Sequence, residues 1–341
     1  MKTIRLLRSR VGLVLALAAD LLVSAGSPGP YDYTQASLEI ALAAQEVFTE
    51  EWLALDEVVG TAIGVDGAGH AILKVYLAEP GFVDFPRYMG GVEIVTEVTG
   101  RFTALPAPVA EPADPTSGFP RPVPIGVSTG HPDVTAGTIG ARVTDGERTF
   151  ALSNNHIFAA NNGGREGDNL LQPGRVDGGR DPDDTFGTLY DFEPLHFCRL
   201  GACDPNRIDA ALALTTPDQL DTATPDGGYG SPRPWSDEAV LGMTVQKYGR
   251  TTGHTVGEIT GIHATLDVSY RNGTARFEDQ IVITGNGFSA GGDSGSLVVT
   301  KGVLLGDRRP VGLLFAGSPN TTLANPIDDV LERFGVRVDG R

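Results

Sequence analysis

The stretch GFSAGGDSGSLVV, residues 287–299, sets Ser294 among four glycines immediately ahead of an apolar run. Glycine enters backbone conformations that a side chain forbids, so the stretch reads as a sharp loop feeding a β-strand. A serine hydroxyl is a poor nucleophile until a base takes its proton, and this stretch contains no histidine. Two remote segments supply what it lacks: LSNNHIFAANN, residues 152–162, carries His156, and NRIDAALAL, residues 206–214, carries Asp209. The separations of 53 and 85 residues exclude local contact, so only the fold can bring the three together.

Around these segments the chain is built of short β-like runs, among them RTFALSN, FGTLYDF, DAALALT, TVGEITGIHATLDVSY, FEDQIVIT and PVGLLFAG. Each is bounded by Gly, Pro, Asp or Asn, and ANPIDDVLERFG near the end is the one clear amphipathic helix beyond residue 124. This pattern indicates an all-β barrel or sandwich, and the missing crossover helices disfavour a βαβ fold.

In the order His156, Asp209, Ser294, the segments SNNHIFA, IDAALAL and GGDSGS resemble those of the chymotrypsin-like (trypsin-like) serine peptidases, bacterial type with an additional N-terminal module. The resemblance covers residues 124 to about 337. It implies an all-β fold, a double six-stranded β-barrel of chymotrypsin type with a C-terminal helix, preceded by a small α/β domain. It also implies a serine endopeptidase acting on polypeptide through an acyl-enzyme intermediate. His156 is then the general base, Asp209 orients it, and the amides of Gly292 and Ser294 form the oxyanion hole. Asp293 orients the loop instead of joining the triad. Phe288, six positions before the nucleophile, stands where the trypsin branch has an acid; with Phe315, Ala316 and Gly317 it forms the expected substrate pocket, suited to small or moderate apolar P1 groups. No cysteine flanks the nucleophile loop, where Ala290 stands, so packing must stiffen it. Neither a cofactor nor a metal is implied. The alternative is a catalytically silent scaffold that binds peptide or aids assembly. An α/β-hydrolase fails on two counts: position 296 is Ser, and no histidine follows residue 263.

Upstream, YTQASLEIALAAQEVFTEEWL places Leu38, Ala41, Leu42, Phe48 and Trp52 broadly on one side of a helix that Thr34 can cap, and EVVGTAIGVD with HAILKVYLAEP reads as a β-hairpin. With VEIVTEVTGRF as a third strand, residues 31–105 form a small α/β module. Residues 106–123 are Pro-rich and are read as an extended linker, which leaves 124–341 as the peptidase domain. Contact of residues 31–105 with that domain is one expected partnership, as pro-region, folding aid or positioning domain.

Residues 1–30 join basic Lys2, Arg5, Arg8 and Arg10 to an apolar run and a small-residue cleavage site, the pattern of a signal peptide, although Asp20 interrupts the run. The expected location is secreted or periplasmic, or cytoplasmic if this stretch is not a signal. Cys198 and Cys203 close a small ring in an oxidising compartment and stay thiols in a reducing one. The net charge of −17, from 43 acids against 26 bases, disfavours nucleic acid and anionic membranes as partners. Asp177, Asp181, Asp183 and Asp184 are read as a solvated acidic loop.

Overall fold

The computed structural model describes residues 35–80, 85–104, 115–199, 202–302 and 307–340. The expected signal peptide, the Thr34 cap and residues 106–114 of the expected linker lie outside the described residues. Helix α1 (Gln35–Leu53) buries Ala41, Ala44, Phe48 and Trp52, spaced three or four apart, as one stripe. It lies against β1 (Val58–Val65), β2 (Ala71–Leu77) and β4 (Val92–Val98), with the short β3 (Tyr88–Met89) between the last two in sequence. The turn from β1 to β2 is closed by Asp66, whose Oδ1 accepts the amides of Ala68 and His70 at 2.8 Å each. β2 pairs antiparallel with β1 and parallel with β4, and β5 (Phe102–Ala104) follows.

The next unit runs through β6 (Ser128–Thr129), β7 (Gly137–Thr138), β8 (Ala141–Thr144), β9 (Thr149–Ser153), the single-turn α2 (Asn155–Phe158), β10 (Asn169–Leu171), β11 (Thr185–Phe192) and β12 (Ala211–Thr215). The last unit comprises β13 (Thr244–Gly249), β14 (Gly253–Tyr270), β15 (Gly273–Thr284), β16 (Leu297–Thr300), β17 (Pro310–Ser318), β18 (Thr321–Pro326), helix α3 (Ile327–Phe334) and β19 (Arg337–Val338). In the first unit six strands pair in the order β10-β11-β12-β9-β8-β19, so the chain end returns to complete the sheet. In the second the order is β13-β16-β17-β18-β15-β14, and β13 also pairs with β14, closing a ring of six. Full closure leaves no free edge within that ring. Each unit has its own core: Phe150, Leu152, Phe158, Leu212 and Leu297 contribute to the first, while Val245, Ile259, Ile283 and Phe288 contribute to the second. The architecture is a double six-stranded β-barrel of chymotrypsin type.

The N-terminal strands join this second unit directly. β1 pairs antiparallel with β14, through Gly60↔Leu266 and Ile63↔Ile262, so the sheet continues from the barrel into β1-β2-β4-β3. Phe48, Trp52 and Ile63 share one apolar cluster with Val245, Phe288 and Leu314. The physical reason is the exposed backbone edge that β1 presents without β14, together with a strand in which seven of eight positions are buried. Gln45 on α1 adds a donor to the carbonyl of His263 on β14 at 2.9 Å.

Residues 115–123 also depart from the extended linker read from their prolines. Thr116 and Val123 are buried, the Val123 amide donates to Gln219 O, and Gln172 Oε1 accepts from Phe119 N and the Arg121 guanidinium. Proline removes donors but does not prevent packing, and side-chain partners satisfy this segment instead.

Candidate active site

His156 sits in α2, directly after β9, and two asparagines ahead of it fix the local chain. Asn154 Nδ2 donates to the Asp209 carbonyl at 2.7 Å, and Asn155 Nδ2 donates to Glu193 O at 2.6 Å. Asp209 precedes β12, and its amide donates to Asn325 Oδ1 at 3.0 Å. The Asp209 carboxylate is fully buried and takes three donors: the His156 amide at 3.2 Å on Oδ1, and His156 Nδ1 at 2.6 Å with the Tyr270 hydroxyl at 2.8 Å on Oδ2. A buried carboxylate persists only with such partners. An ionised carboxylate can only accept, so the proton of the neutral ring belongs on Nδ1 and the lone pair on Nε2. Nε2 is buried and makes no hydrogen bond among the described residues.

Ser294 stands directly before β16 of the second barrel. Its carbonyl accepts from the Thr138 amide at 2.8 Å, and the Thr138 carbonyl accepts from the hydroxyl of Ser153, the last residue of β9. A run of ring contacts, Phe315 to Phe277 to Tyr270 to His156, links the β17 wall to the imidazole. Ser294 Oγ donates to the Phe315 carbonyl at a long 3.4 Å and makes no hydrogen bond to His156. The structure therefore joins His156 and Asp209 directly and leaves Ser294 Oγ on a separate hydrogen bond.

The loop before β16 needs its glycines. Gly292 has φ +99° and Gly295 φ +95°; a Cβ at the first would lie 2.4 Å from Thr251 Oγ1, and at the second 2.2 Å from Ser153 Oγ. The amides of Gly292 and Ser294 find no acceptor among the described residues. Between them, Asp293 is fully buried and accepts from the amides of Ala290 and Thr251 at 2.9 Å, from the Thr252 amide at 3.2 Å and from the Thr252 hydroxyl at 2.7 Å. Lys247 Nζ, also fully buried, lies 3.5 Å from Asp293 Oδ2 and donates to Gly253 O at 3.0 Å and to the Thr252 hydroxyl. Burial pulls the Lys247 ammonium down from its ordinary pKa, and Asp293 opposes that shift. An internal cation thus serves the buried acid of this loop.

The expected pocket residues take different places. Phe288 is buried in the second-barrel cluster, and its carbonyl accepts from the Thr255 hydroxyl at 2.7 Å. Phe315 and Ala316 belong to another cluster with Tyr76, Phe102 and Phe277. Ala316 and Gly317 pair antiparallel with Ala104 and Thr103 of β5.

Other sequence features resolve individually. Cys198 and Cys203 are joined as a disulfide. Asp177 is not a solvated loop residue: its side chain is buried, bonded to the Arg250 guanidinium and accepting from the Ser128 hydroxyl at 2.5 Å, because the fold buries a counter-charge beside it. His131 faces Asp168 at 3.1 Å and His254 faces Gln246 at 2.9 Å, while the Asp279 carboxylate at 2.5 Å holds His263 above the usual histidine range. None of the three contacts the His156 group.

Residues 236–329 match the family described as the Nal1 C-terminal domain, a span that contains Ser294 but neither His156 nor Asp209. No curated protein matches the sequence. Among solved structures the chain is similar to Thermobifida fusca Protease A, at 20% identity over 64% of this chain and 100% of that one, TM-score 0.45. It is similar to Cellulomonas bogoriensis chymotrypsin, at 21% identity over 64% and 99%, TM-score 0.43, and to Nocardiopsis protease, at 18% over 63% and 99%, TM-score 0.44. No helix among the described residues is long and apolar enough to cross a membrane.

Proposed function

We propose that this chain is a serine endopeptidase in which His156, Asp209 and Ser294 form the triad. The observation that carries the reading is the 2.6 Å contact of His156 Nδ1 with a buried carboxylate, which leaves Nε2 as the unbonded base of the ring. Attack begins when Ser294 Oγ gives its proton to Nε2 and bonds to the scissile carbonyl carbon. The carbonyl oxygen takes up the negative charge and accepts the amides of Gly292 and Ser294. The imidazolium then protonates the leaving amine, the C–N bond breaks, and water repeats the sequence on the acyl-enzyme. For this step Ser294 Oγ leaves the Phe315 carbonyl and reaches Nε2. Phe288 is buried in one apolar cluster and Phe315 and Ala316 in another, so with Gly317 they do not line one open pocket; with no acid at position 288 to attract a basic P1 side chain, small or moderate apolar ones remain the proposed preference. Export, with the disulfide formed in an oxidising compartment, is part of the same reading. The peptidase unit is residues 124–341.

The N-terminal module is the intramolecular partner of this site. An extended peptide needs a strand edge beside the nucleophile, and β17 offers one at Ala316–Gly317, immediately after the carbonyl that Ser294 Oγ contacts. β5 occupies that edge. Peptide hydrolysis is therefore restrained in the intact chain. Thr103→Pro deletes an amide donor and interrupts the ladder, a loss of about 0.5–1.5 kcal/mol, and is expected to raise turnover of an extended peptide roughly 3–10-fold. Hydrolysis of a small activated ester, which needs no strand edge, stays unchanged. Peptide turnover equal to that of the native chain would remove the restraint from the account, and absence of hydrolysis of both substrates by both chains would remove the peptidase.

A further inference from the structure

The Asp209 carboxylate has a partner from the far end of the molecule. Tyr270 is the last residue of β14, 61 positions beyond Asp209, at the tip of the β14–β15 hairpin, where it pairs with Gly273. That tip reaches the first barrel and is tied there. Asn272 Nδ2 donates to Asn161 O at 3.2 Å, the Cys198 amide donates to Thr274 O at 2.7 Å, and the Asn206 amide donates to Arg276 O at 2.8 Å. Cys198 and Asn206 belong to the segment that leads to Asp209, so the hairpin and the acid are positioned by a common set of bonds.

Tyr270 is held on its ring faces as well. Its ring meets those of His156 and Phe197 edge-on, with centroids 5.8 Å away in each case, and packs on Phe277 at 6.2 Å. Its hydroxyl donates to Oδ2, the same oxygen that faces His156 Nδ1. Burial and the neighbouring carboxylate hold the phenol well above its ordinary pKa, so it keeps its proton and remains a donor. A carboxylate oxygen has room for two donors, and two donors at right distances fix both the rotation of the carboxylate and the share of negative charge left for the imidazole.

We infer that Tyr270 is a positioning residue of the catalytic group, locking the Asp209 carboxylate and moderating its pull on His156 through the shared oxygen Oδ2. This rests on the triad reading above. It makes the β14–β15 hairpin, which also carries the N-terminal module, part of the catalytic machinery. Tyr270 does not touch the reacting atoms of the substrate. Among the described residues, Asp209 and Tyr270 are the titratable groups set in hydrogen-bond or ring contact with the His156 side chain.

The test compares the native chain with Tyr270→Phe, which keeps the ring and deletes the donor. Tyr229→Phe serves as control, because Tyr229 is another buried tyrosine whose hydroxyl has no hydrogen-bond partner among the described residues. Two quantities are read: the rate of reaction with a fluorophosphonate, and the proton resonance of the His156 Nδ1–H in the folded chain. Tyr270→Phe is expected to react about tenfold more slowly. Its Nδ1–H resonance moves downfield, because the imidazole no longer shares Oδ2. The control changes neither. An unmoved resonance in folded Tyr270→Phe, with the native reaction rate, overturns the inference, as does the same change in Tyr229→Phe. If the native chain fails to react while the resonance still moves in Tyr270→Phe, the peptidase proposal falls and the coupling of Tyr270 to the His156–Asp209 pair stands. Should Tyr270→Phe not fold, site-specific 3-fluorotyrosine at position 270 gives the same readout, and a resonance unmoved by that change overturns the inference.

Discussion

Asparagine at position 209 is expected to lower peptide hydrolysis about 10⁴-fold while leaving the fold intact. The carboxylate accepts on both oxygens, from the His156 amide, from His156 Nδ1 and from the Tyr270 hydroxyl. Asparagine keeps the volume but has one acceptor oxygen and one donor nitrogen. If its oxygen keeps the His156 amide, its NH₂ faces Nδ1. The ring then holds its proton on Nε2, where the base must be empty. Removing a fully buried charge relieves its desolvation, so stability holds or rises even as the rate falls. Circular dichroism and denaturant unfolding check the fold, and peptide turnover checks the rate. Turnover within tenfold of the native chain would show that Asp209 does not orient the base.

The second large effect concerns the nucleophile loop. Lys247→Met is expected to destabilise the chain by about 3–5 kcal/mol, because it leaves Asp293 charged, fully buried and without its cation. Four hydrogen bonds still reach the carboxylate from Ala290, Thr251 and Thr252, but none carries a compensating charge. Asp293 stands between Gly292 and Ser294 and its carboxylate holds the loop through Ala290, Thr251 and Thr252, so loosening of those bonds turns the amides that would donate to the oxyanion. Losing one such donor costs on the order of 10²–10³ in rate, so the variant loses activity beyond its loss of stability. The pair Lys247→Met with Asp293→Asn removes both charges together and recovers most of the stability. Urea unfolding measures the cycle; a Lys247→Met midpoint equal to that of the native chain would mean that Lys247 is not the counter-charge.

These two effects divide along what the sequence made legible. The nucleophile loop, the His156 and Asp209 segments, the α1 stripe and the β1–β2 hairpin carry local signals: glycines where φ is positive, apolar residues three or four apart, an aspartate closing a turn. Lys247 carried none. It lies in β13, where five successive residues are buried, so the alternation that normally sends a lysine to solvent does not apply. Tyr270 was equally hidden, since its partner lies on another barrel and only the reach of the hairpin brings them together. Asn154, to which the sequence assigns no role, bonds the Asp209 carbonyl.

The way the N-terminal residues join the barrel was hidden for a related reason. A Pro-rich stretch suggests separation, yet an unpaired strand edge and a shared apolar cluster join β1 to β14 across about two hundred residues of sequence. Composition reports local stiffness and says nothing about which distant edge will be capped. The same limit applies to Asp177, whose acidic surroundings concealed a buried partner in Arg250.

The proposed hydrolysis depends on Ser294 Oγ being made nucleophilic by the ring of His156. Mass mapping of the folded native chain after reaction with a fluorophosphonate tests this most directly. The expected result is a single adduct on the peptide containing Ser294, absent from His156→Ala and Ser294→Ala chains that keep their fold. A folded native chain that takes up no reagent, or takes it up equally well without the imidazole, would contradict it.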